Sequence, residues 1–325
     1  MSLELDSPRT VEVSQRGLTA RQAIADRVFR IGLLAATLTF VTIIAGLFAE
    51  LVHGSWESLV AFGPKFLWSS EWNPVTNHFG ALPFIYGTVV SSAIAILVAG
   101  VVGIAAAVFL AEFAPPAVAR PLSFFIELLA AVPSVVFGLW GLFVLAPFLG
   151  STVDPFIQRY LGFLPIFSGS IYGIGLLTAG LLLALMIVPT VAAIARDLIQ
   201  AVPNELREAS ISLGATRWET VVHVVLPSAR AGIVGACVLA LGRALGETIA
   251  ATMVIGNRPA ISASLFAPSY TLSSVIANEF TEATSSLYLS ALLELGLILF
   301  VISLIVNGCA RVLMWSMLRS QGRRP

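Results

Sequence analysis

The sequence predicts an all-α membrane protein that crosses the bilayer six times. Two observations carry that prediction. Of the 325 residues, 58% are hydrophobic and only 11% are charged, where a soluble domain carries roughly 25% charged residues. The apolar residues are also gathered into six blocks, each long enough for the roughly 20 residues that a helix needs to cross the hydrocarbon core. Helices are the economical choice, because each span must satisfy its own backbone hydrogen bonds in lipid. A formal net charge of zero argues against a nucleic-acid binder, which would show a basic stripe.

The expected spans are residues 28–52, 85–112, 122–149, 171–195, 231–256 and 287–313. Ahead of the first lies a polar tail, residues 1–27, with Arg9, Arg16, Arg21 and Arg27. The first block exceeds the apolar core of a cleavable signal, about 7–15 residues, and is expected to stay as a helix. Thr19-Ala20-Arg21-Gln22 has the form of a helix N-cap box and suggests a short interfacial helix leading into it. The connection 53–83 is long enough for another short amphipathic helix. Fourteen arginines fall on the side that holds both termini, against Lys65, Arg159 and Arg258 on the other. The positive-inside rule then puts both termini in the cytoplasm, including the basic tail 314–325. No internal repeat and no separate soluble domain is legible. Cys237 and Cys309 lie within apolar blocks and read as packing residues. His53, His78 and His223 fall at span ends or in loops, so neither a metal site nor a cofactor is expected.

The richest segment is 201–229, AVPNELREASISLGATRWETVVHVVLPSA. Pro203 suits a first helical turn. Leu206, Ala209, Ser210 and Leu213 share one apolar or small face, and Gly214 is placed as a helix stop. Thr216-Arg217-Trp218-Glu219 forms a capping box that opens a second helix, which Leu226-Pro227 is expected to end. Two short helices joined by a glycine elbow result. Composition alone is equally compatible with an amphipathic loop lying among headgroups.

Within this segment Glu208-Ala209-Ser210, then Gly214, then Val224-x-Leu226-Pro227 resemble the EAA loop of ABC-importer permeases. Ser210 replaces the second alanine and Val224 the isoleucine of that pattern. The resemblance implies the type I ABC importer permease fold, with residues 196–230 as the loop that docks on a separate ATPase. Glu208, Ala209 and Gly214 would then carry the coupling. The single lysine of the chain, Lys65, cannot complete a Walker A loop, where a lysine following glycine reaches the phosphates. ATP hydrolysis is therefore expected from another chain, and none from this one.

Arg243 and Glu247 lie within the predicted fifth span. A charge at the centre of a helix costs about 2.5–3.5 kcal/mol on insertion scales and usually faces a cavity or a partner. Four residues apart on one helix, the two would share a face and neutralise each other, either as a structural pair or as an anion-binding arginine held ready by a carboxylate. The planar guanidinium fork suits phosphate oxygens. Pro133-Ser134 interrupts the third block, and broken helices at membrane depth line cavities in transporters. Ser134 and Thr248 offer hydroxyls there, although such groups commonly bond their own helix backbone. Glu127 reads as an interfacial residue; Glu294 is open between a pathway and a structural role.

The stretches 242–257 (GRALGETIAATMVIGN) and 127–138 (ELLAAVPSVVFG) resemble the permeases of the phosphate importer, as do Thr271-Leu272, residues 276–279, Gly296-Leu297 and Asn307. Residues 25–30 and Gly138-Leu139-Trp140-Gly141 favour the PstC type over its PstA counterpart. That resemblance implies import of inorganic phosphate. It also implies four partners: a second homologous permease of PstA type, a dimer of PstB-type ATPase subunits, an external PstS-type phosphate-binding protein, and membrane lipid. Arg243, Glu247, Ser134 and Thr248 are the expected substrate-pathway residues. The rival expectations are a permease for molybdate or sulfate, a phosphate-sensing membrane scaffold, and a secondary transporter that uses Glu247 or Glu294 as a proton site.

Overall fold

The computed structural model describes residues 20–321, with side chains from 25 to 317. The expected N-cap box at Thr19 therefore lies outside the described residues. The chain divides into two compact units, Met1–Glu50 and Leu51–Pro325. Helix α1 (Ala20–Gly54) supplies the described part of the first. Among the described residues the structure is helical, with one isolated bridge between Asn73 and His78 and no named strand.

Among the described residues, six helices are long and apolar enough to cross a membrane. They are α1, α3 (Leu82–Phe113), α5 (Ser134–Leu161), α6 (Leu176–Gln200), α8 (Arg217–Leu245) and α11 (Ser286–Gln321). Between them lie shorter elements: α2 (Trp56–Phe62), α4 (Pro116–Ala130), α7 (Asn204–Ser212), α9 (Ile249–Val254) and α10 (Leu272–Glu279). The number of spans is as expected, and α2 supplies the short helix expected in the connection 53–83.

Two spans are displaced from their expected positions. The third begins at Ser134, not near residue 122. Pro133 has no N–H to donate and breaks the helix, so α4 stays separate. Its 15 residues reach about 22 Å at 1.5 Å per residue, too short to cross about 30 Å of hydrocarbon. The fifth runs from Arg217 to Leu245 instead of 231–256, because Pro227 does not end the helix that the capping box starts. A wide turn, Val221–Val225, with i→i+5 geometry, precedes Pro227. Widening the ladder just before a proline relieves the clash with the preceding carbonyls. The same device recurs in α5, where wide turns at Gly141–Leu145 and Leu149–Val153 precede Pro147 and Pro155.

The centre of the second unit is α6, packed on α3 and α8. Ala95, Ala99, Ala184, Ala240 and Ala244 are buried among Leu183, Ile187 and Val191. Small residues let backbones approach closely, which is how helices associate where lipid is as apolar as leucine. At the two ends of α3 the packing differs. Phe84, in its first turn, is fully buried in a cluster with Phe66, Phe79, Tyr270, Tyr288 and Leu292. Glu112, in its last turn, holds an ion pair with Arg207.

Candidate functional site

The last turn of α8 carries Arg243, and the helix stops two residues later at Leu245. Gly246, Glu247 and Thr248 are unwound before α9 resumes at Ile249. The expected Arg243–Glu247 face is therefore not formed. Among the described residues no ion pair joins the two; the three pairs of the structure lie elsewhere. The i,i+4 neighbourhood needs a continuous helix, and the backbone here tightens and ends instead, with Glu247 N donating to Ala244 O at 3.3 Å.

Each residue finds its own surroundings. Arg243 is exposed on the surface of the chain, with one long contact from Nη1 to Thr190 Oγ1 at 3.4 Å. The Asn307 amide lies beside the neighbouring Gly242. Glu247 is half-buried. Its Oε1 accepts from Ala250 N at 3.3 Å, placing a carboxylate on the free amides that open α9. Its carbonyl accepts from Ser273 Oγ at 2.9 Å. Thr248 turns its hydroxyl to Gly246 O at 3.3 Å, in keeping with the backbone-bonding role such residues commonly take.

The second break lies at Ala131–Pro133, and Ser134 opens α5 from it. The segments that follow the two breaks pack on each other. A Cβ on Gly138 would stand 2.5 Å from Met253 Sδ and 3.1 Å from Ala250 Cα, so α5 and α9 meet only because residue 138 has no side chain. Around the contact Phe137, Leu182, Met186, Ala250 and Val254 form a buried cluster. The fold thus joins the interrupted part of α5 to the interrupted fifth span. Thr190 and Ser273, both bonded to pathway candidates, escaped sequence reasoning. Thr190 is a hydroxyl residue in the apolar run of α6, and Ser273 is one of several hydroxyl residues between 269 and 274 in and ahead of α10, with no spacing to single it out.

The elbow is well defined. α7 ends at Ser212, and Gly214 follows with φ +89°, a left-handed conformation that favours glycine, in open space. Thr216 caps the next helix: its Oγ1 accepts from Glu219 N at 3.3 Å, and Glu219 Oε2 accepts from Thr216 N at 2.8 Å. Leu206, Ala209, Leu213 and Trp218 are exposed, as are Glu208 and Gly214.

What anchors the elbow is Arg207. Its Nε and Nη2 donate to Glu112 Oε1 at 3.1 and 2.8 Å. Nη2 also donates to Ile199 O at 2.7 Å, and Nη1 to Val202 O and to Asn204 Oδ1. Arg217 stands 5.7 Å above the Phe113 ring. The elbow is thereby fastened to the last turn of α3 and the end of α6. In the sequence, Arg207 and Glu112 stand 95 positions apart and read only as a loop charge and a span-end charge. Glu127 likewise has a partner, with Arg196 Nη2 at 3.1 Å. Glu294 is buried in α11 with Ser58 Oγ at 2.5 Å.

Residues 101–317 match the family described as binding-protein-dependent transport system inner membrane component. The chain belongs to that family. It does so as a PstC-type member of the phosphate ABC transporter permeases, as its curated relatives show. The phosphate transport system permease protein PstC of Mesorhizobium japonicum is 48% identical over 318 residues, covering 97% of each chain. The protein of that name in Haemophilus influenzae is 45% identical over 294 residues, covering 89% of this chain and 93% of the relative. Solved structures agree on the fold of this importer-permease family. A bacterial ABC transporter involved in the import of the acidic polysaccharide alginate aligns with TM-score 0.56 at 14% identity, covering 90% of this chain and 97% of its own. The MetNI methionine ABC transporter, in an inward-facing conformation, aligns with TM-score 0.51 at 18% identity, covering 76% of this chain and 99% of its own.

Proposed function

We propose that this chain is one permease subunit of an ATP-driven importer of inorganic phosphate, with both termini in the cytoplasm. It supplies half of the translocation pathway; a second, PstA-type permease supplies the other half. A PstS-type binding protein delivers phosphate on the outer side, and two PstB-type ATPase subunits dock on the elbow. The observation that carries this reading is the exposure of Arg243 at the end of a broken span. A guanidinium in a membrane-spanning segment must face a cavity or a partner, not lipid, and this chain leaves it uncovered. A second permease closing over that face would enclose the guanidinium fork in a passage suited to a phosphate's paired oxygens. Glu247, drawn aside to cap α9, would keep the arginine free to meet an anion. Ser134 and Thr248 lie at the two breaks that would line the passage.

The elbow supports the coupling half of the proposal. Leu206 and Leu213 stand exposed on its apolar face, and the Arg207–Glu112 clamp would carry a push on α7 into α3. Glu208, Ala209 and Gly214 are the proposed contacts with the ATPase.

The test is uptake of labelled phosphate by proteoliposomes carrying the whole complex. Arg243→Ala should reduce ATP-dependent uptake at least about tenfold, the loss of a hydrogen bond to a charged group being worth about 1.5–3 kcal/mol, while the complex still assembles. Uptake within a few-fold of the parent would overturn the assigned role. A proton gradient that suffices without ATP would point to a secondary transporter, and faster uptake of sulfate or molybdate than phosphate would reassign the cargo. Phosphate-dependent signalling by a parent complex that moves no phosphate would leave a sensing scaffold.

A further inference from the structure

At the end of the second unit remote from the elbow, the segment after α9 forms a small polar pocket. It is stitched to the N-terminal end of α6: Gly175 N donates to Val254 O at 2.9 Å, Leu176 N to Ala267 O at 3.2 Å and Leu177 N to Leu265 O at 2.8 Å. The elbow follows the other end of α6, 25 residues away or about 37 Å at 1.5 Å per residue. Gly256 and Asn257, both at positive φ, turn the chain out of α9 and deliver Arg258. Its backbone is fixed in place, because Arg258 N donates to Ser269 O at 3.1 Å and Ser269 N to Ile255 O at 3.0 Å.

The pocket has a volume of about 270 Å³, and its polar wall comprises Ser170, Tyr172, Arg258, Ser262 and Ser264. No carboxylate lines it. Among the described residues no ion pair engages Arg258. The hydroxyls are arranged to donate. Ser262 Oγ accepts from Ser264 N at 3.1 Å, and Ser264 Oγ accepts from Phe266 N at 3.3 Å. With an acceptor role already filled by a backbone amide, each hydroxyl keeps its proton for an outside acceptor. Ser264 is 9% exposed, so a donor there has little water to turn to, and an unfilled buried donor is costly. One guanidinium outside any ion pair, with convergent hydroxyl donors and no negative wall, is a complement for a small oxyanion.

We propose that this pocket is a receiving site for a tetrahedral oxyanion, phosphate or arsenate, at the mouth of the pathway that leads to Arg243. The proposal deepens the import reading and rests on it for the direction of travel. The anion would sit on Arg258 and the Ser262 and Ser264 hydroxyls before passing inward along α9, whose far end Glu247 caps. Binding itself needs no ATP and is testable without transport.

The experiment uses the whole complex in liposomes, with Cys237 and Cys309 replaced by alanine and Ser170→Cys as a reporter on the pocket rim. An anionic and a cationic methanethiosulfonate are compared. The anionic reagent should react several-fold faster relative to the cationic one, and Arg258→Gln should abolish that preference. Millimolar inorganic phosphate should slow labelling, and should no longer do so in Arg258→Gln. Labelling that phosphate leaves unchanged, or slows equally in both proteins, overturns the site. Vesicles of phosphatidylcholine alone and with phosphatidylglycerol separate the sources of the anion. Protection by the anionic lipid and not by phosphate would make the pocket a headgroup site and overturn the proposal. Parallel uptake assays keep the two readings apart: protection without uptake in the parent complex breaks the import reading and leaves the site standing. Uptake without protection does the reverse.

Discussion

The two ends of α3 show opposite ways of finishing a membrane protein. At its first turn, Phe84 is sealed among aromatic rings, with Trp72 at 4.8 Å and Tyr270 at 5.5 Å between centroids. Trp72 also meets Phe79 at 4.9 Å, and its Nε1 joins the Tyr288 hydroxyl on one oxygen of Glu279, at 2.8 and 2.5 Å. Each polar tip has a partner and each ring a neighbour, as buried aromatics require. At the last turn the chain does the reverse. Glu112 holds the elbow through Arg207, and beyond that clamp the elbow turns outward a leucine that is 89% exposed, Leu213, together with Leu206 and Trp218. One end is completed by the chain itself; the other is a fastened elbow whose leucines stand exposed.

That contrast can be broken by mutation, and the largest effect belongs to the sealed end. Phe84→Ala removes a fully buried ring and should cost about 3–5 kcal/mol, read as a lowered unfolding temperature of the purified protein. A loss within about 0.5 kcal/mol, the range of a surface substitution, would mean that the cluster is not the sealed core described. The clamp comes next. Arg207→Met leaves the Glu112 carboxylate and two carbonyls without their charged donor and should cost about 2 kcal/mol. The loss should be local: amide exchange in α7 should quicken about 30-fold, at a tenfold change per 1.4 kcal/mol, while exchange in α6 stays as in the parent. Equal quickening in α6 would show that the elbow and the bundle unfold together, and that Arg207 is not a local fastening. The smallest effect sharpens the comparison most. Leu213→Ala should change stability by no more than about 0.5 kcal/mol, as for a surface site, yet it should reduce the phosphate moved per ATP hydrolysed. Unchanged coupling would remove Leu213 from the proposed docking face.

The elbow is largely legible in the amino-acid sequence, because capping is a local code. Thr216 and Glu219 are three residues apart, and Gly214 carries the backbone conformation that its position implies. The pathway region is legible only in part. The cost of a charge in lipid singles out Arg243, but helical spacing gives the wrong relation to Glu247. Placing the two on one helical face assumes that α8 continues, and it ends at Leu245. Ser273 Oγ and the amides of α9 decide where Glu247 goes, and neither lies in the helical register from which the pairing is inferred.

Composition and block length by themselves determined that the chain is helical, that six of its helices can cross a membrane, and that it lacks the lysine of a Walker A loop. The first two properties follow from lipid, which demands internal backbone bonding and enough apolar length of any sequence. The tertiary structure alone decided that wide turns carry α5 and α8 past their prolines, that α5 and α9 touch at Gly138, and that Arg207 reaches Glu112. It also decided that Arg258 is left facing a pocket of hydroxyls with no carboxylate to answer it. These depend on which distant segments meet. A guanidinium is indifferent to sequence separation; it responds to the oxygens within about 3 Å, and only the folded chain brings those into place.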